Sequence, residues 1–192
     1  MTLLEMLISL SLLAIIMTAV MAIYIVGVGA WRKGGVRAEL LQDLQVASSR
    51  IVKDLERTSY ASLSIGPTRD TISVLTMFDE TGQFALDANG KPIWDRWVVY
   101  FRVGDELHRQ EVAWGATPDV RATPVPIELL SPPQTLANYA SGGRVIARDI
   151  YNFEVSVVPD TTSISVKLRL RRDVPRSGPQ LVHLETVVGT RN

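Results

Sequence analysis

Met1-Thr2-Leu3-Leu4-Glu5-Met6-Leu7-Ile8 opens a 31-residue stretch in which Glu5 is the single charged side chain. Residues 6–31 carry no charge and are mostly Leu, Ile, Met, Val and Ala. At about 1.5 Å per helical residue they span about 39 Å, more than the roughly 30 Å of a bilayer's hydrocarbon core. Arg32 and Lys33 end the run abruptly.

Three readings fit such a segment. A cleavable secretory signal begins with a basic region and has a shorter apolar stretch, and here no Lys or Arg precedes the apolar run. A plain membrane anchor accounts for the length but not for Glu5, whose charge costs about 2.5–3.5 kcal/mol near the bilayer centre. It also lacks the basic flank that holds a cytoplasmic end. The third reading is that a basic leader has been removed and Met1 is a new terminus.

The rest of the composition narrows the chemistry. The 192 residues are 46% hydrophobic and 21% charged, which suits a folded domain joined to a long helix. There is no cysteine, so disulfides, thiolate metal sites and cysteine nucleophiles are excluded. Twenty basic residues balance twenty acidic ones, and a pI near 6.7 argues against a nucleic-acid partner.

Beyond residue 31 the helix is expected to continue to about residue 58. Leu40, Leu44, Ala47, Ile51 and Leu55 recur at spacings of three and four, the stripe of an amphipathic helix lying on a globular domain. Arg37, Asp43, Arg50, Lys53, Asp54, Glu56 and Arg57 fall largely outside the stripe and read as a solvated face. The weak points of the helix are Gly27, Gly29, Gly34 and Gly35, and Gly34-Gly35 is where a kink is expected, because each Gly costs up to about 1 kcal/mol of helix stability. Gly27-Val28-Gly29 is no nucleotide loop: Arg32 stands where a third Gly is needed, and no strand precedes it. Small residues for close helix packing fit better.

Residues 59–192 read as β-rich. Strands are expected over 71–78, 94–103, 106–114, 150–158, 163–172 and 181–189. Turns fall at Asn89-Gly90, Gly104-Asp105, Ser141-Gly142-Gly143 and Pro159-Asp160. The five prolines between 116 and 133 suggest a long extended loop. Ile164, Val166, Leu168 and Leu170 alternate with Ser165, Lys167, Arg169 and Arg171, so one face is core and the other wet. That basic row reads as pairing with carboxylates such as Glu154 and Glu185 rather than as a DNA contact. Trp94, Trp97, Tyr100, Phe101 and Trp114 read as sheet core. The whole is therefore expected to be α+β, a long N-terminal helix packed on an antiparallel sheet domain, in three parts: 1–31, 32–58 and 59–192.

No catalytic, metal or cofactor site is assigned. The chain has neither Gly-x-Ser-x-Gly nor His-Glu-x-x-His. His108 and His183 read as surface-facing strand residues. Asp79, Glu80, Asp87 and Asn89 offer oxygen ligands around turns but fail EF-hand spacing.

The first eight residues resemble the mature N-terminus of type IV pilins and type II secretion pseudopilins: Phe or Met, then Thr-Leu-(Leu/Ile)-Glu, then an apolar helix. The resemblance implies a pilin fold and a leader, ending in Gly, cut by a prepilin peptidase that also methylates the new amine. It implies that Met1, Thr2, Leu3 and Glu5 serve assembly, with Glu5 meeting the N-terminal amine of a neighbour. Partners would be further copies or other pilin-like subunits in a helical filament, an inner-membrane assembly platform, and lipid before assembly. The chain would pass from the bacterial inner membrane to a periplasmic or extracellular filament. Major pilins often break their helix with Gly and Pro, where this chain has Ala14 and Ala22. Either the subunit is a minor one, at a tip or priming assembly, or melting is displaced to the glycine cluster. The tail resembles J-type minor pseudopilins in Gln45, Ile51, Asp54 and Leu55, in Val99-Tyr100-Phe101 with Leu107-His108-Arg109, and in the closing Arg191-Asn192. A membrane-anchored binding domain without a filament is the reading from a different class.

Overall fold

The structure, a computed structural model, describes residues 2–77, 86, 89–90, 93–94, 96–113, 124–129, 134–175 and 178–190. Met1, Asp79, Glu80, Asp87, Trp114, most of the proline-rich loop and Arg191-Asn192 lie outside the described residues.

Helix α1 runs unbroken over Leu3–Glu56, 54 residues or about 81 Å. It starts at Leu3 because Thr2 caps it, and it ends at Arg57, whose backbone N–H turns back onto the carbonyls of Asp54 and Leu55. The interruption expected at Gly34-Gly35 is absent: the helix passes through all four glycines. Docking of the next turns on the domain outweighs their propensity cost. Leu40, Leu44, Ala47, Ile51 and Leu55 are buried as the spacing requires, joined by Ser48.

The helix packs on two antiparallel sheets, which makes the chain α+β. The first has the order β1 (Ser64–Ile65), β2 (Thr71–Thr76), β3 (Arg96–Val103), β4 (Glu106–Ala113) and β5 (Arg144–Ala147). The second is β6 (Ile150–Val157), β7 (Ser163–Val174) and β8 (Gly178–Gly189). The helical stripe meets β7 and β8 most closely and touches β5 and β2.

The pleat explains two cores. Ile72, Val74, Val98 and Tyr100 point from the first sheet toward α1 and the inner face of the second, where Phe153, Val166 and Leu168 join them. Leu75, Trp97, Val99 and Phe101 point the other way and are covered by Ile127 and Leu136, the latter on the short helix α2 (Leu136–Tyr139). β2 and β3 are therefore buried on both faces, and Trp94, Trp97, Tyr100 and Phe101 are core, as expected. Gly143 is obligatory: its φ is +76°, and a Cβ there would stand 2.8 Å from the Arg109 carbonyl oxygen. This lets β5, a strand the sequence pattern did not reveal, approach β4.

The second sheet leaves its outer face open. Lys167 sits 3.4 Å from Glu185 and faces Glu154 in register, so the pairing expected for the basic row holds at this position. Arg169 instead faces Asn152 and His183, while Arg171 reaches Asp173 and lies over the Tyr151 ring.

Candidate functional site: the N-terminal helix and its anchorage

The first candidate residues form a capping box. The Thr2 backbone N–H donates to Glu5 Oε2 at 2.7 Å, and the Glu5 N–H donates to Thr2 Oγ1 at 3.4 Å. Thr-x-x-Glu is the sequence signature of this reciprocal cap, and it was available in Thr2 and Glu5 without a structure. Glu5 thus has a local role that its resemblance did not supply: its carboxylate starts the helix. Among the described residues it has no cationic partner.

Behind this cap the apolar side chains face outward. From Leu3 to Val26 every large one is at least half exposed, from 51% at Ile8 to 83% at Leu3. The most apolar window has no buried residue, and α1 is long and apolar enough to cross a membrane. Burying one such side chain is worth about 1.5–3 kcal/mol, so the stretch demands an apolar environment worth tens of kcal/mol, on that order. Ala14, Thr18 and Ala22, one turn apart, line a shallow groove on its surface, where small side chains let another helix approach. Gly27, Gly29, Gly34 and Gly35 are likewise open, with nothing within 4 Å of a built Cβ. The site residues are not gathered into one constellation: Thr2, Leu3 and Glu5 stand together at the helix start, and the glycines lie six to eight turns further on.

The other end of α1 is anchored by a polar network. Tyr100 Oη donates to Asp54 Oδ2 at 2.5 Å, and Arg109 Nε donates to the same oxygen at 3.2 Å. Arg109 also donates to Glu111, which accepts from Arg96 at 2.9 Å. Burial, and then the Asp54 charge, raise the Tyr100 phenol well above its ordinary value. Burial works against the Arg109 charge, but Glu111, Tyr100 and Asp54 outweigh it and raise its pKa. Burial would raise Glu111 too, yet its hydrogen bonds from Arg109 and Arg96 bring it below its ordinary value. Asp54 therefore departs from the solvated face assigned to it: its side chain is 17% exposed and ties the helix to β3 and β4. A second tie is made at Arg172, which holds Asp149 and Glu39 at 2.7 Å each. The hydrogen bond that Arg172 donates to Asp149 raises its pKa first, and Glu39 adds to it.

The two histidines differ. His183 is exposed on β8, as expected. His108 is not surface-facing: its side chain is 16% exposed and stacks on Phe101 at 5.4 Å between centroids. Its Nδ1 lies 3.2 Å from the Gly142 carbonyl oxygen. In the unbroken β3–β4 register His108 stands opposite Phe101, which puts its ring on the sheet face that carries Trp97, Val99 and Phe101.

No protein-family model matches the chain, and no curated protein or solved structure matches it. The long apolar helix on an α+β domain is compatible with a pilin-like architecture, and the functional reading rests on the residues themselves.

Proposed function

We propose that the chain is a structural subunit of a type IV pilus-like filament, a pilus or pseudopilus, assembled through α1. The observation that carries this is one continuous helix whose large apolar side chains are all exposed from Leu3 to Val26, with Glu5 the one charge among them, and whose second half is docked on a β domain. A lone carboxylate in an apolar bundle is costly, and pairing it with an ammonium lowers that cost. Glu5 would exchange its Thr2 cap for the N-terminal amine of a neighbouring copy, so that apolar packing drives assembly and the charge pair sets register. Before assembly the same helix would hold the subunit in the inner membrane.

Mass spectrometry of sheared surface filaments tests this. The chain is expected there with a methylated Met1 as its first residue, and Glu5→Ala is expected to leave the β domain folded while abolishing incorporation. Recovery of Glu5→Ala subunits at wild-type levels would sink the charge-pairing argument, and absence of the wild-type chain from filaments would favour an anchored binding domain. The unbroken passage of α1 through Ala14 and Ala22 favours a second reading within the same class, a minor subunit at the tip or priming assembly. Trace abundance in the filaments would select it.

A further inference from the structure

Two depressions of opposite charge lie side by side along α1 and share Ile146 of β5 as a common wall. The first, about 490 Å³, is net acidic. Arg172 pairs with Asp149 and Arg148 with Glu106, which leaves the Asp43 and Asp105 carboxylates without an ion pair among the described residues. The second, about 220 Å³, is net basic. Its one carboxylate, Asp54, is taken by Tyr100 and Arg109, and Arg50, Lys53 and Arg144 have no carboxylate partner among the described residues. Asp43 and Arg50 are seven residues apart and so share a helix face. The acidic and basic centres are separated along the axis by seven to ten residues, about 10–15 Å.

We propose that this face docks a second copy of the chain with an axial stagger of about 10–15 Å, the acidic depression of one copy lying on the basic depression of the next. The proposal rests on the filament reading, because a shared membrane makes the two α1 helices parallel. Parallel copies meeting through this face in register put acid on acid and base on base, and such like-charge contacts cost several kcal/mol. One step of stagger turns both repulsions into one attraction, so the charge polarity rejects the unshifted pair as well as favouring the shifted one. The β domain thereby adds a second constraint to the register that the Glu5 pair sets.

The natural absence of cysteine makes cross-linking clean. Full-length copies bearing Asp43→Cys and copies bearing Lys53→Cys, differently tagged, are co-expressed in the native host and oxidised in sheared filaments. The expected product is the mixed disulfide, in excess over the Asp43→Cys homodimer. In parallel, Lys53→Glu with Arg144→Glu is expected to lower filament yield about tenfold or more, and adding Asp43→Lys with Asp105→Lys to restore it to within about twofold. Predominance of the homodimer, or filament yield unchanged by the charge reversals, would overturn the stagger while leaving the filament reading intact. Absence of the unmodified chain from filaments would overturn both.

Discussion

Replacing Tyr100 with phenylalanine removes one oxygen from a residue that is 1% exposed and leaves its ring packing unchanged. What is lost is the 2.5 Å hydrogen bond to Asp54. A hydrogen bond to a charged group contributes about 1.5–3 kcal/mol. Asp54 keeps Arg109 and some access to water, so the lower half of that range applies, about 1.5–2 kcal/mol, or about 3–8 °C in Tm for a chain of this size. Asp54→Ala is expected to cost more, about 3 kcal/mol, because it strips the phenol of its acceptor and the guanidinium of one of its two carboxylates. The assay is urea unfolding of the full-length chain in detergent, followed by the fluorescence of the buried Trp97. In an Asp54→Ala background, Tyr100→Phe should cost less than about 0.5 kcal/mol, since its partner is already gone. A loss of the same size in both backgrounds, or a loss below about 0.5 kcal/mol in the wild type, would refute the idea that this bond ties α1 to the first sheet.

Three further outcomes are expected. Leu44→Ala, deep in the helical stripe, should destabilise the domain by about 2–5 kcal/mol in the same titration, whereas Leu41→Ala, 41% exposed, should fall within about 1 kcal/mol of wild type. Glu111 has a folded pKa below its unfolded value of 4.5, so its contribution is present above that pH and is lost as pH falls through the folded value. Urea midpoints measured down the acid range should therefore drop more for wild type than for Glu111→Gln. Tyr100 has a folded pKa above its model-compound value of 10.0, so its contribution is present below pH 10.0 and lost above it. Tyrosinate absorbance should show one phenol, absent in Tyr100→Phe, that ionises after the others or only on unfolding.

Much of this fold was legible because hydrophobic period is a local property. The stripe from Leu40 to Leu55 and the alternation from Ile164 to Leu170 each announce an element and the face it buries. Gly104-Asp105 and Pro159-Asp160 marked the turns of two hairpins for the same reason. The division into two sheets was not legible, because it depends on which strands meet across long separations. β5 escaped notice because it is only four residues long, and its place depends on Gly143 lying against Arg109. At the candidate site, Glu5 stood out against an uncharged background, while its cap by Thr2 was present in the letters and passed over. Asp54 could not be told from its charged neighbours Lys53 and Glu56, since its role is set by Tyr100 and Arg109, 46 and 55 residues away.

The continuity of α1 also makes it a lever. About 20 residues separate Trp31, the last of the uncharged run, from Ile51 at the heart of the docked stripe, which is an arm of about 30 Å. At the tilt of about 20° common for membrane helices, that arm carries the β domain sideways by about 10 Å. Rotation of the apolar half about its own axis is passed to the domain as well, because no proline interrupts the rod between Leu3 and Glu56. In a bilayer, the direction in which the domain faces would therefore be set by whatever the first thirty residues pack against.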